Sequence, residues 1–191
     1  MSGAAVQHQD VRYPGGYRAH YRWAGPTEGE AVFSAPGGAA QVADHSGLGG
    51  AADDRLCRAE VQVEGPLGTW TARLAAPIFD APQGLLWDAA SLLVVAYGFR
   101  AYAFEARSGA LRWSHGGATP LVGLVGSSRL GHVLLQGELE TTALRADGTV
   151  SWRATHDDVI TAVELVAGRL VLGTWSGQAV VLDPTTGARS S

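Results

Sequence analysis

Lysine is absent from this chain of 191 residues, and cysteine and methionine occur once each. With Cys57 alone, neither an internal disulfide nor a cysteine-based metal centre can staple the fold. The lone thiol reads as a small, half-buried side chain. All 14 basic residues are arginine, no stretch gathers them, and the formal net charge is −4. This leaves no basic patch of the kind that grips a nucleic-acid backbone. No apolar run reaches the roughly 18 residues of a membrane helix. The opening MSGAAVQHQDVRYPGG lacks the apolar core of a secretory signal. A cytoplasmic protein without nucleic-acid or membrane partners is the expectation. Charged residues make up only 17% against 46% apolar, which excludes a disordered chain and allows one domain with a sizeable core.

What the chain does have is glycine, 26 of them, placed with regularity. AFEARSGALRW (103–113) reads as a strand, a tight turn at Ser108-Gly109 and a second strand closing on Trp113. The pattern returns as ALRADGTVSW (143–152) and begins again as VLDPTTG (181–187). The turn glycines Gly109, Gly148 and Gly187 stand 39 residues apart (148 − 109 and 187 − 148), as do Trp113 and Trp152 (152 − 113). Helix-period stretches of useful length are missing, and period-2 alternation prevails. A fixed repeat of this length is the signature of stacked supersecondary units, each too small to bury its apolar face alone. Four short strands per unit follow from the turn spacing. Asp-Gly and Ser-Gly suit hairpins because glycine accepts the positive φ those turns need.

The closing motif resembles the PQQ-like β-propeller repeat, of form A-x-D-x-x-x-G-x-x-x-W. Ala103, Glu105, Gly109 and Trp113 fit it with Glu for Asp, and Asp183 and Gly187 fit it in the last unit. Ala143 to Gly148 is one residue short. His156, Val159 and Val163 before a glycine turn look like the opening of a WD40-like unit, without the Trp-Asp ending. The resemblance implies an all-β fold, a small β-propeller of about four four-stranded blades. Quinone-dependent enzymes share the repeat, but they use a vicinal disulfide that Cys57 alone cannot form, so no cofactor is expected.

The expected blades are 30–75, 77–115, 117–155 and 157–187, after a loose segment 1–16. In the first, Glu30–Ser34 and Ala40–Asp44 read as strands, His45–Asp54 as a loop, and Cys57–Glu64 with Gly68–Leu74 as a hairpin. The last unit lacks its Trp strand, while Tyr17–Trp23 is a Trp-ended strand without a unit. Pairing Tyr17–Trp23 with Ala179–Asp183 would close the ring and remove an open edge. The alternative is an open arc of three blades completed by another chain, either a second copy, which would make a homo-oligomer, or another protein.

Trp23, Trp70, Trp113 and Trp152 recur at unit ends, where packing between blades is the expected role. No nucleophile elbow, phosphate loop or dinucleotide fingerprint is present. His115 and His156, the latter followed by Asp157, fall in loops entering the next blade, without the close spacing of a metal site. Tyr97, Phe99, Arg100, Glu138 and Trp175 sit in the second-to-third-strand hairpins. If these groups share a face, they form an aromatic surface of mixed charge, rich in the residue types that anchor interfaces. The expected function is therefore a non-enzymatic scaffold binding a protein or peptide on one loop face. A metal-binding or hydrolytic enzyme and a structural module of a larger assembly are the alternatives.

Overall fold

The computed structural model describes residues 5–33, 41–44 and 55–190; the expected loop 45–54 lies outside them. Residues 1–82 with 104–111 form one compact unit, and 83–103 with 112–191 form a second.

In the first unit, β1 (Gln7–Arg12), β2 (Arg18–Ala24), a short helix α1 (Gly29–Phe33), β3 (Gln41–Asp44), β4 (Cys57–Gly65) and β5 (Gly68–Ala76) follow in order. The sheet order is β1-β2-β4-β5-β3, antiparallel except for the parallel β3–β5 pair. Three expectations are corrected here. Segment 1–16 is not loose throughout, because Gln7–Arg12 pairs along the whole of β2. This edge strand is nearly all exposed and polar, so it carries no hydrophobic period to read.

Tyr17–Trp23 does not close the last blade. As β2 it is flanked on both sides, by β1 and β4. Its register with β4 sets Arg18 opposite Glu64 and Arg22 opposite Glu60, and facing opposite charges favour that pairing. Finally, in the expected strand 30–34 the described residues 30–33 are helical, not extended. Pro26 and Glu28 open a helical turn that runs into α1, as proline and an acid do at a helix start. The helix covers one face of β4, where Arg58 and Glu60 are buried. Arg73 bonds Glu60 at 3.1 Å and the Phe33 carbonyl at 2.9 Å, and its guanidinium lies 4.9 Å from the Phe33 ring centre.

The repeat region holds β6 (Gln83–Trp87), β7 (Leu92–Tyr97), β8 (Arg100–Glu105) and β9 (Leu111–Gly116). Then come β10 (Leu121–Val125), β11 (Val133–Gly137), β12 (Glu140–Leu144) and β13 (Val150–Thr155), and finally β14 (Ile160–Val166), β15 (Arg169–Thr174) and β16 (Ala179–Leu182). They form up-and-down sheets of four, four and three strands. As the 39-residue period requires, the first two sheets repeat strand for strand, and the only helical element in this stretch is a single turn, Asp88–Ala90. In the third sheet a single bridge, Leu182 to Arg189, lies beyond β16.

In the second unit, Val94, Ala96, Trp113, Leu121, Leu135 and Leu144 join one core cluster, and Leu134, Ile160, Leu170, Leu172 and Leu182 another. Within a strand each row takes alternate positions, and in β11 the two rows take opposite faces, Leu135 in the first and Leu134 in the second.

The recurring Trp and Gly meet in space. A Cβ on Gly109 would come within 2.5–2.7 Å of the Trp70 ring. The same holds for Gly148 against Trp113, at 2.7–3.0 Å, and for Gly187 against Trp152, at 2.5–2.9 Å. All three glycines have φ between 72° and 84°. The turn therefore demands glycine twice, for its left-handed backbone and for the ring beneath it. Trp70 Nε1 donates to the Ala106 carbonyl at 2.9 Å, and Trp113 Nε1 to that of Ala146 at 3.1 Å.

Candidate functional site

The connections between sheets in the second unit are built to a rule. Gly117 N–H donates to the Phe99 carbonyl (2.7 Å) and Leu121 N–H to that of Gly98 (2.8 Å). One period later His156 N–H donates to Leu139 (2.9 Å) and Ile160 N–H to Glu138 (2.7 Å). Trp175 N–H then donates to Val159 (2.8 Å). Each crossing loop is thus laced to the second-to-third-strand hairpin of the sheet it leaves. The hairpins at 97–100, 137–140 and 174–178 and the loops at 116–121 and 156–160 share one rim.

Five of the residues singled out in the sequence are at least partly accessible there. Arg100 is exposed, Phe99, His115 and Glu138 are half-buried, and Trp175 is 80% exposed. Asp157 is exposed too, 3.6 Å from Arg189. Two of the set are interior. Tyr97 is buried because β7 is covered on both faces. His156 is buried within a polar chain. Thr141 donates its hydroxyl proton to Gln136 Oε1 at 2.6 Å, so it can only accept from His156 Nε2, 2.7 Å away. That fixes the proton on Nε2. Burial is the main cause holding the His156 pKa below the ordinary histidine value, with Arg189 adding to it. Among the described residues no three His, Cys, Asp or Glu side chains converge as a metal ion needs.

Sequence reasoning missed the apolar half of the rim. Leu139 and Val159 are 42% and 37% exposed, and Val159 takes the Trp175 N–H. Both occupy turn-flanking positions whose alternation suggested only strand ends. It also missed a recess of about 230 Å³, walled by His115, Ala118, Leu121, Leu135, Leu139 and Glu140. Glu140 accepts from the Thr142 hydroxyl at 2.9 Å and lies 3.4 Å from Arg153 Nε. The Arg100 guanidinium rests over Gly116, next to His115. Burial first, then the charge of Arg153, lower the pKa of His115; Glu140 opposes this and Arg100 reinforces it. His115 is therefore a neutral imidazole at pH 7.

No family model and no curated protein matches the chain. Solved structures do. BamB from Moraxella catarrhalis matches with a TM-score of 0.51 at 21% identity, over 69% of this chain and 41% of its own. The computationally designed Ika8 protein matches with 0.54 at 16% identity, over 72% and 45%. HIRA(644–1017) matches with 0.52 at 12% identity, over 99% and 53%. The likeness is one of fold: an all-β small propeller built of repeated antiparallel sheets. The chain spans about half or less of each of these neighbours. In propeller terms, the laced rim is where successive blades present their crossing loops and hairpins.

Proposed function

We propose that the protein is a non-enzymatic scaffold that binds a protein or peptide on the laced rim of its second unit. The observation that carries this reading is Trp175, 80% exposed, its backbone N–H held by the exposed Val159 of the crossing loop, with Leu139 exposed on the preceding laced hairpin. A large aromatic held out in water on rigid backbone is an anchor with little entropy left to lose on binding. The stacked tryptophans have a structural task, whereas Trp175 has none in the core. Capture of partners from the native cell by the parent protein and by Trp175→Ala tests the proposal. Loss of a specific partner with an unchanged melting curve supports it. Equal capture by both proteins removes it.

The third sheet favours a second reading, in which the protein is a module that shares strands between chains. Among the described residues β16 has β15 on one side and on the other only Arg189 and Ser190, whose N–H reaches the Val181 carbonyl. An open edge of this sort is a template for another strand. Mass in solution decides, since shared strands require a dimer or larger assembly.

A further inference from the structure

The recess below the rim has a size, a lining and a charge that together select an occupant. At about 230 Å³ it falls short of the ~300–1,000 Å³ of pockets that enclose whole small ligands. A single aliphatic side chain is the better fit. Its walls are Ala118, Leu121, Leu135 and Leu139, and side chains are missing at Gly117 and Gly137. A Cβ on Gly137 would come within 2.8 Å of Thr119 Oγ1, so a side chain there would press on that wall of the recess.

Of the charged groups that act on His115, namely Arg153, Glu140 and Arg100, one positive charge is left over. Arg153 and the Thr142 hydroxyl already engage Glu140. Arg100 is exposed and has no ion pair among the described residues. His115, kept neutral by burial and by the guanidiniums around it, offers a ring N–H without adding charge. An aliphatic pocket beside one surplus guanidinium and a neutral imidazole is complementary to an aliphatic group next to a carboxylate.

We propose that this recess takes an aliphatic side chain of an extended peptide whose neighbouring acidic residue sits on Arg100 and His115. The inference rests on the peptide-binding reading above and gives it a ligand class.

The experiment titrates the full chain, ¹⁵N-labelled, with three blocked dipeptides: acetyl-leucyl-aspartate amide, acetyl-leucyl-asparagine amide and acetyl-leucyl-lysine amide. The expected result is saturable shifts in the amides of 115–121 and 137–140. The aspartate peptide should bind up to about five-fold more tightly than the asparagine peptide, as one exposed ion pair allows, and the lysine peptide most weakly. Arg100→Gln should erase the difference between aspartate and asparagine and leave the melting temperature in place. Equal affinities for the three peptides, tighter binding of the lysine peptide, or shifts centred elsewhere would overturn the proposal. If the dipeptides fail here while Trp175→Ala still loses a partner, the ligand class is wrong and the scaffold reading stands. If Trp175→Ala loses nothing, the scaffold reading itself falls.

Discussion

Each stacked tryptophan does two jobs, and the third copy shows what happens when one of them is taken away. Trp70 and Trp113 place their rings under a turn glycine and their N–H on a carbonyl of the same turn. Trp152 keeps the ring contact with Gly187. The carbonyl in the matching place, that of Pro184, is bonded by His132 Nε2 at 2.6 Å, while Trp152 Nε1 is buried with no partner among the described residues. The His132 ring stands edge-on to Trp152, 6.0 Å between centres. Trp113→Phe should therefore cost about 1 kcal/mol more than Trp152→Phe, the net worth of one hydrogen bond. Trp113→Ala should cost about 3–5 kcal/mol. Gly148→Ala should cost about 1–3 kcal/mol through positive φ and overpacking against Trp113. Because the two share one contact, the double variant should cost less than the sum. Chemical denaturation of the four single variants and the double variant checks all of these values.

The histidines add a pH term at the same scale. His115 and His156 both have folded pKa values below the ordinary one. The unfolded chain takes up these protons first, so their contribution to stability is full above about pH 6.5 and is lost as pH falls through the folded values. The melting temperature should drop on acidification from neutral pH, and His156→Gln should flatten part of that drop. A parent curve that rises on acidification in this window would be inconsistent with two neutral imidazoles, one buried and one half-buried.

At the scale of elements, what could be read in advance was whatever repeats. Gly109, Gly148 and Gly187 fixed the turns of three sheets, since glycine there is enforced by both backbone and ring. The N-terminal sheet has no second copy, so its strands had to be judged on local pattern. β1 is polar on both faces and α1 has only five residues, too few to distinguish a period of 2 from 3.6. The placement of β2 depended on a charge register with β4 that only pairing reveals. Arg22→Glu tests that register. It would set like charges opposite each other at Glu60 and remove the Arg22 bond to the Ala31 carbonyl. A loss of about 1 kcal/mol or more is expected, read as a lower denaturation midpoint.

At the scale of the whole molecule, half of the rim was legible. Arg100, His115 and Trp175 stood out as chemistry-bearing residues beside turns. Tyr97 and His156 looked the same in sequence but point inward, because alternation cannot tell which end residue of a strand the neighbouring sheet will cover. Leu139 and Val159 were invisible, since an exposed leucine reads like any strand residue until its burial is known. The binding claim turns on whether this rim, and not the opposite end of the same strands, meets a partner. Trp175 follows β15 at one end, and Val166, 49% exposed, precedes it at the other. A photo-crosslinking benzophenone residue placed at either position in the native cell compares the two directly. A discrete adduct from position 175 and none from 166 is the expected result. Equal adducts from both positions, or none from 175, would contradict a binding rim.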